Sequence, residues 1–349
     1  MRKRTWLTVA QTFLGIGLLL LWLWIVDLSA VANTLQQAQW GYVAIAAILG
    51  IVSTILRAIR WRLILRPIAQ VPRIDVWLIS LASSLINFVI PIRSGEIARS
   101  LFLKQRDSVP VSASLPTVAV DRSLDMLAVL VIGAVGILTG LQLGGSLTVV
   151  LALGAALFLG FATFVILAIF WQERLMRVAE WAVPRWIGEK LRGQLLGILG
   201  GLMAGFSAIG RQPRSLPPII GLSFIAALLD AGVFYLLFLS VGNPIPPMVA
   251  LTGYALFAIT FIVPGAPGYI GSMEAFGSLV FGAALGIPQA ASASVVLMFH
   301  ALNALLLGVL GGISIWALGF RPSTAFRTVV DAQSITGISS TEPQPSAEG

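Results

Sequence analysis

The segment Leu216–Leu239 carries one charged side chain, Asp230, among otherwise apolar and small residues. A helix needs about 20 such residues to cross the hydrocarbon of a bilayer. Runs of the same character occupy Trp6–Val26, Gly41–Leu56, Leu124–Leu141, Leu147–Phe170 and Ala290–Leu318. A chain of 349 residues that is 58% hydrophobic and 10% charged cannot hide that surface as a soluble globule. It reads as an all-α polytopic membrane protein, because helices satisfy their own backbone groups in lipid. "MRKR" and the run behind it resemble a signal peptide, but the apolar stretch is longer than the roughly 7–15 residues of a cleaved one. A retained first helix is the favoured reading.

Two apolar pieces, Val76–Ile92 and Met248–Leu285, are interrupted by proline and glycine. Arg57, Arg60, Arg62, Arg66 and Arg73 precede the first; Arg93, Arg99, Lys104 and Arg106 follow it. A full crossing would leave one basic cluster outside. A segment that dips in and returns keeps both inside, where Lys and Arg belong. With the second piece dipping from the outside, all 22 Lys and Arg fall on or near the cytoplasmic side. The expected architecture is therefore about six transmembrane helices plus two re-entrant broken hairpins, with both termini cytoplasmic; eight full spans is the competing topology. On this scheme residues 1–320 form one transmembrane domain, with halves 6–141 and 147–320. Segment 171–214 lies at the cytoplasmic interface: "WQERLMRVAEWAVPRWIGE" mixes tryptophans with charges. Residues 321–349, rich in Ser, Thr and Pro, are expected to be a disordered cytoplasmic tail.

The two broken pieces resemble each other. Phe88, Pro91, Gly95 and Glu96 recur in the same order as Phe261, Pro264, Gly271 and Glu274. Short, broken apolar segments at matching places in two halves point to an inverted repeat around a midplane site. Proline cannot continue a helix cleanly, and Pro264 and Pro267 alternate with Gly265, Gly268 and Gly271, which let the backbone turn. Freed backbone groups are tolerable in a membrane only where they line a polar or protein-walled cavity. Glu274 then opens the following half-helix, either as a plain cap or as a cavity carboxylate beside a positive helix end.

Charges near the bilayer centre are costly and usually partnered or functional. Arg93, Glu96 and Arg99 lie at i, i+3, i+6, two cations around one acid; the alternative is an ordinary solvated loop. Asp121 and Asp125 share a helix face beside Arg122, or form a solvated helix end. Arg57 and Arg60, one turn apart next to Trp61, read as a cytoplasmic anchor. Asp230 is the most deeply placed acid, and His300 and Asn303 sit midway along the last helix; a lone His is more often structural than a proton relay. The formal charge of +8 is that of cytoplasmic loops and lipid contacts, so no nucleic-acid partner is expected. Cysteine is absent and histidine occurs once, which excludes disulfides and thiolate sites and argues against a transition-metal enzyme. No phosphate-binding G-x-x-x-x-G-K-[ST] loop or G-x-S-x-G elbow occurs, and no cofactor is expected.

Together "RAIRWRLIL", "NFVIPIRSGEIARSLFLK", "VAVDRSLDMLAVL" and "FIVPGAPGYIGSMEAF" resemble the lysylphosphatidylglycerol synthase/flippase transmembrane family, over roughly residues 6–320. The resemblance implies a lipid path lined by Arg93, Glu96, Arg99, Asp121, Arg122, Asp125 and Glu274, and transport without aminoacyl transfer, because no synthetase domain follows. The leading expectation is a non-enzymatic flippase or scramblase of the cell membrane. Its partners would be membrane lipids: an anionic or aminoacylated phospholipid or another polar lipid, with homo-oligomers left open. Asp230 and His300 join the expected substrate-facing set. The alternatives are a lipid-modifying enzyme using Asp121, Asp125 or Glu96, and a non-catalytic partner subunit of a cell-envelope synthase.

Overall fold

The computed structural model describes residues 2–90, 94–138, 171–184, 188–210, 214–261 and 265–320, with isolated positions between 156 and 167. Every described element is a helix or helical turn. In chain order they are α1 (Arg2–Ile25), α2 (Leu28–Gln36), α3 (Trp40–Leu65), α4 (Arg73–Val89), α5 (Ser94–Asp107), α6 (Val111–Leu138), α7 (Gln172–Ala182), α8 (Glu189–Gly210), α9 (Leu216–Ser240), α10 (Pro247–Thr260), α11 (Ser272–Ser278) and α12 (Gln289–Ala317). A π-helical stretch, Leu279–Ala284, continues α11, and another, Leu307–Gly311, interrupts α12. Proline precedes or opens α4, α9, α10 and α12, where its missing N–H costs nothing because first-turn amides have no helical acceptor.

Among the described residues α3, α9 and α12 are long and apolar enough to cross a membrane. The apolar part of α1 and α2, bent by 83° at Asp27, would make a fourth span if taken together. The expected external loop 27–40 is thus partly helical, with the Asp27 carboxylate accepting from the Ser29 and Ala30 amides. The expected span Leu147–Phe170 lies almost wholly outside the described residues, as does the tail 321–349. The interfacial stretch forms α7, with Trp181 86% exposed, and α8, which packs on α6 where Gly201 meets Pro116.

The two proline-broken pieces are both helical hairpins. In the first, Gly95 of α5 lies against the Ser83 carbonyl and Asn87 of α4. Farther along, Arg99 reaches Ser83 Oγ (3.5 Å) and Arg106 lies 3.6 Å from Asp75, so α5 runs back along α4. In the second, Phe261 meets Tyr269 (ring centroids 5.2 Å), Phe257 faces Phe281 (6.3 Å) and Gly253 of α10 packs under the Phe281 ring of the π-helical stretch after α11. The tips meet: Phe88 lies 6.2 Å from the Tyr269 ring and against Gly268. Pro91, Arg93 and Pro264, at the breaks themselves, lie outside the described residues.

Helices α3 and α9 run antiparallel along one another. Gln39 N donates to Ser240 O at one end, Ser53 Oγ to Ala226 O in the middle, and Arg60 to Ser223 Oγ beyond it. Around α9 the core is aromatic: Phe234 stacks on Phe281 (5.0 Å) and Phe299 (4.5 Å). α1 closes the second hairpin from outside, with Trp22 Nε1 donating to Ser278 Oγ (2.7 Å). Gly271, the N-cap of α11, has φ +80°, and a Cβ there would press into the Gly15 carbonyl of α1. Gly271→Ala therefore combines left-handed strain with a backbone collision and should cost about 1–3 kcal/mol. Thermal unfolding in detergent should show a lower midpoint for it. Gly17→Ala, in open space on α1, should leave the midpoint unchanged or slightly raised.

Candidate functional site

Four helices bring ionisable residues together beside the hairpin tips. Arg57 and Arg60, one turn apart on α3, point toward α6 and α9. Arg60 is 0% exposed; its Nε donates to Asp121 Oδ1 (2.8 Å), its Nη1 to Asp125 Oδ1 (2.8 Å) and Ser223 Oγ (3.0 Å), and its Nη2 to the Asp121 carbonyl (3.1 Å). Arg57 bridges Asp230 of α9 (2.6 Å) and Asp125 of α6 (3.3 Å), with Ser53 Oγ accepting from its Nη1. Arg99 of α5 donates to Asp121 Oδ2 (2.9 Å), and its guanidinium carbon lies 4.6 Å from the centroid of the Trp61 ring. Tyr254 of α10 donates to Asp230 (3.1 Å). Unpartnered, each buried charge would cost several kcal/mol. Here each carboxylate accepts from at least one guanidinium, and Asp121 and Asp125 are each shared by more than one.

Arg122 is held differently. Its Nη1 lies 3.4 Å from Asp125 Oδ2, its Nε lies 3.9 Å from Glu96 Oε1, and that Nε has no hydrogen-bond acceptor. The side chains of Arg122 and Glu96 are 39% and 32% exposed, against 0% and 1% for Arg60 and Asp121. Asn87, in the last turn of α4, also has a buried Oδ1 with no partner. These loosely held groups open on a cavity of about 450 Å³ between the hairpins and α12. Its lining includes the charged residues Arg57, Glu96, Arg99, Arg122, Asp125 and Asp230. The same cavity is also lined by apolar side chains such as Val129, Phe261, Met273, Phe299 and Leu306.

The structure thus gathers Glu96, Arg99, Arg122, Asp125 and Asp230 on one cavity. Asp121 sits beneath it, buried in the ion network. Glu274 and His300 lie together on the far side of the hairpin break. His300 Nδ1 contacts Glu274 Oε1, His300 Nε2 lies 2.8 Å from the Gly268 carbonyl, and Glu274 Oε2 accepts from Gly271 N (2.8 Å). Glu274 is both a cap and a cross-helix partner. Gly265 faces Tyr269 and Ser272, Pro267 opens the turn Pro267–Tyr269, and Gly268 has φ +68°. Arg57 and Arg60 are not the surface anchor expected from their basic neighbourhood: they are the centre of the network. The available signal was complementary spacing, two cations one turn apart on one apolar helix and two acids one turn apart on another. Among the described residues no group of three or more His, Cys, Asp or Glu is set to hold a metal ion.

These features define a helical membrane protein built around paired hairpins and an amphipathic cavity. The family model described as "Lysylphosphatidylglycerol synthase TM region" matches residues 9–311, and the chain belongs to that family. It is 27% identical to a protein named glycosyltransferase AglD from Haloferax volcanii, over 90% of this chain and 54% of that one, so it spans about half that relative's length. It is 24% identical to the UPF0104 membrane protein PH1989 of Pyrococcus horikoshii, over 86% of this chain and 94% of the relative. No solved structure matches.

Asp121→Asn should be more damaging than Asp230→Asn, because it strips a counter-ion from two buried guanidinium groups, Arg60 and Arg99; about 3–5 kcal/mol is expected. Asp230→Asn should cost less, since Arg57 keeps Asp125 and Ser53. Size-exclusion profiles and melting midpoints of the two purified variants check the order.

Proposed function

We propose that the chain moves the polar headgroup of a membrane lipid between leaflets, through the cavity where the two hairpin tips meet, and performs no covalent chemistry. The carrying observation is that charged and apolar side chains line that one cavity. A lipid combines the same two characters: its headgroup can enter among Arg122, Glu96 and Asn87 while its chains stay against Leu306, Phe299 and the bilayer. Satisfied ion pairs bind nothing further, so the working groups are the loosely held ones. Arg122 meets a phosphate oxygen, and Glu96 meets an amine or hydroxyl. Anionic and aminoacylated phospholipids fit this chemistry, and membership of the family supports it.

In this reading both hairpins are re-entrant and the order long helix, hairpin, long helix occurs twice, as α3 to α6 and as α9 to α12, in inverted orientation. The antiparallel packing of α3 on α9 supports that arrangement. Residues 1–320 act as one transmembrane unit of the cell membrane, with cytoplasmic termini. A second reading follows from the relative named as a glycosyltransferase: the cargo is a glycolipid, and the chain serves an enzyme that makes or uses it.

Proteoliposomes carrying labelled phosphatidylglycerol, its lysyl ester, phosphatidylcholine or a glycolipid test both. One of these lipids should exchange leaflets faster than in empty liposomes. Arg122→Gln and Glu96→Gln should each slow that exchange about tenfold or more, the worth of one charge-assisted hydrogen bond, without changing the melting midpoint. Exchange at the empty-liposome rate for every lipid sinks the proposal.

A further inference from the structure

His300 is the chain's single histidine, and the transport reading gives its contacts no part. Their geometry fixes a proton count. The Gly268 carbonyl can only accept, so Nε2 of His300 carries hydrogen and donates to it (2.8 Å). The other ring nitrogen, Nδ1, faces Glu274 Oε1. In a neutral imidazole with its proton on Nε2, Nδ1 is a lone pair. A lone pair against a carboxylate oxygen is repulsive, so a further proton lies between them. Imidazolium with carboxylate and imidazole with carboxylic acid satisfy the count equally, and both leave the pair neutral.

That proton holds the break of the second hairpin shut. Through His300 and Glu274 it joins three points of the break, the Gly268 carbonyl, the Gly271 amide and the first turn of α11, to the middle of α12. If the proton leaves to water, a neutral imidazole and a carboxylate remain, with net charge −1. Two acceptors then face one another, and the groups must part. Parting breaks either the His300–Gly268 bond or the Glu274–Gly271 bond, because each residue is tied to the break. Tyr269 and Met273, next to Gly268 and Glu274, line the cavity, as do Phe299 and Asn303 beside His300 on α12. Opening the pair therefore moves the cavity wall.

Charged and titratable groups on the packed elements leave Glu274 as the one ion-pair partner of His300 among the described residues. From α9 come Asp230 and Tyr235, from α10 Tyr254, from the turn Tyr269, and from α3 Tyr42, Arg57, Arg60 and Arg62. Asp230 is occupied by Arg57 and Tyr254. α2, and α1 from Thr12 onward, bring no charged side chain, and α4 presents Phe88, whose ring meets the imidazole edge-on (6.0 Å).

We propose that His300 and Glu274 form a proton-binding site whose occupancy latches the second hairpin and whose emptying releases it, coupling lipid movement to protonation. The coupling rests on the transport reading; the proton site does not. Because His300 is the sole histidine, [15N]histidine labelling of protein purified through a histidine-free tag reports it alone. In lipid nanodiscs between pH 5 and 9, Nε2 should stay protonated while Nδ1 shows one titration. In Glu274→Gln that titration should fall by about 1–3 pH units, the effect of removing a paired opposite charge. A nitroxide on Ile270→Cys, a half-exposed site in a cysteine-free chain, should gain mobility above the wild-type midpoint. The wild-type titration and the label keep the test decisive where Glu274→Gln fails to fold. An Nδ1 resonance that does not change between pH 5 and 9, a titration unchanged in Glu274→Gln, or a label indifferent to the midpoint each overturns the latch. Lipid exchange on either side of the midpoint separates the two ideas. A titrating latch with no exchange removes the transport reading alone, and exchange with no titration removes the latch alone.

Discussion

Arg60 has no solvent exposure in a helix apolar enough to cross a membrane, and the remaining architecture follows from making that tolerable. A guanidinium in low dielectric must be met by carboxylates at hydrogen-bonding distance. α6 supplies them as Asp121 and Asp125, one turn apart to match Arg57 and Arg60. α9 adds Asp230, and α5 brings Arg99 back onto the far oxygen of Asp121. Each bond fixes a rotation and a height of one helix against another. A purely apolar bundle in lipid has little to set register, since lipid tails are as apolar as leucine. The ion network therefore serves chiefly to specify one arrangement of α3, α5, α6 and α9, whatever its net contribution to stability.

The same arrangement explains how the first hairpin is held. α5 starts at a break, and its Gly95 lies on the α4 backbone with no room for a side chain. Arg99, one turn on, is then held under Asp121 and over Trp61. Among the described residues the second hairpin has no comparable ionic tie along its length. It is held at its break by Glu274 and His300 and from outside by α1. One hairpin is thus fixed by a dense charge network, the other by a single titratable pair, and the difference predicts which of the two moves.

Much of this was legible in the residues. The breaks were readable because proline and glycine have local backbone consequences, and both became hairpins whose tips touch. The gathering of Glu96, Arg99, Arg122, Asp125 and Asp230 was readable because charges in apolar segments demand partners. Arg57 and Arg60 were misread, since a basic cluster at a helix end has the same local sequence whether it faces lipid headgroups or the three acids Asp121, Asp125 and Asp230. His300 and Glu274 were each noticed but not paired: 26 residues and a turn separate them, and no local rule joins them. The bend at Asp27 was hidden because α2 is too polar to look like a span and too regular to be a loop.

Electroneutrality decides what the cavity can accept. Among the described residues of the site, Arg57, Arg60, Arg99 and Arg122 balance Glu96, Asp121, Asp125 and Asp230, four against four. An anion entering alone must take a guanidinium from an acid, and only Arg122, with its long contacts and free Nε, can be taken cheaply. That frees Glu96 at the same moment. A headgroup that brings its own cation or hydroxyl beside its phosphate can satisfy both partners at once, whereas a bare phosphate leaves Glu96 unpaired in the cavity. On the proposed transport reading, the weak Arg122–Glu96 contact would select cargo with a donor close to its phosphate.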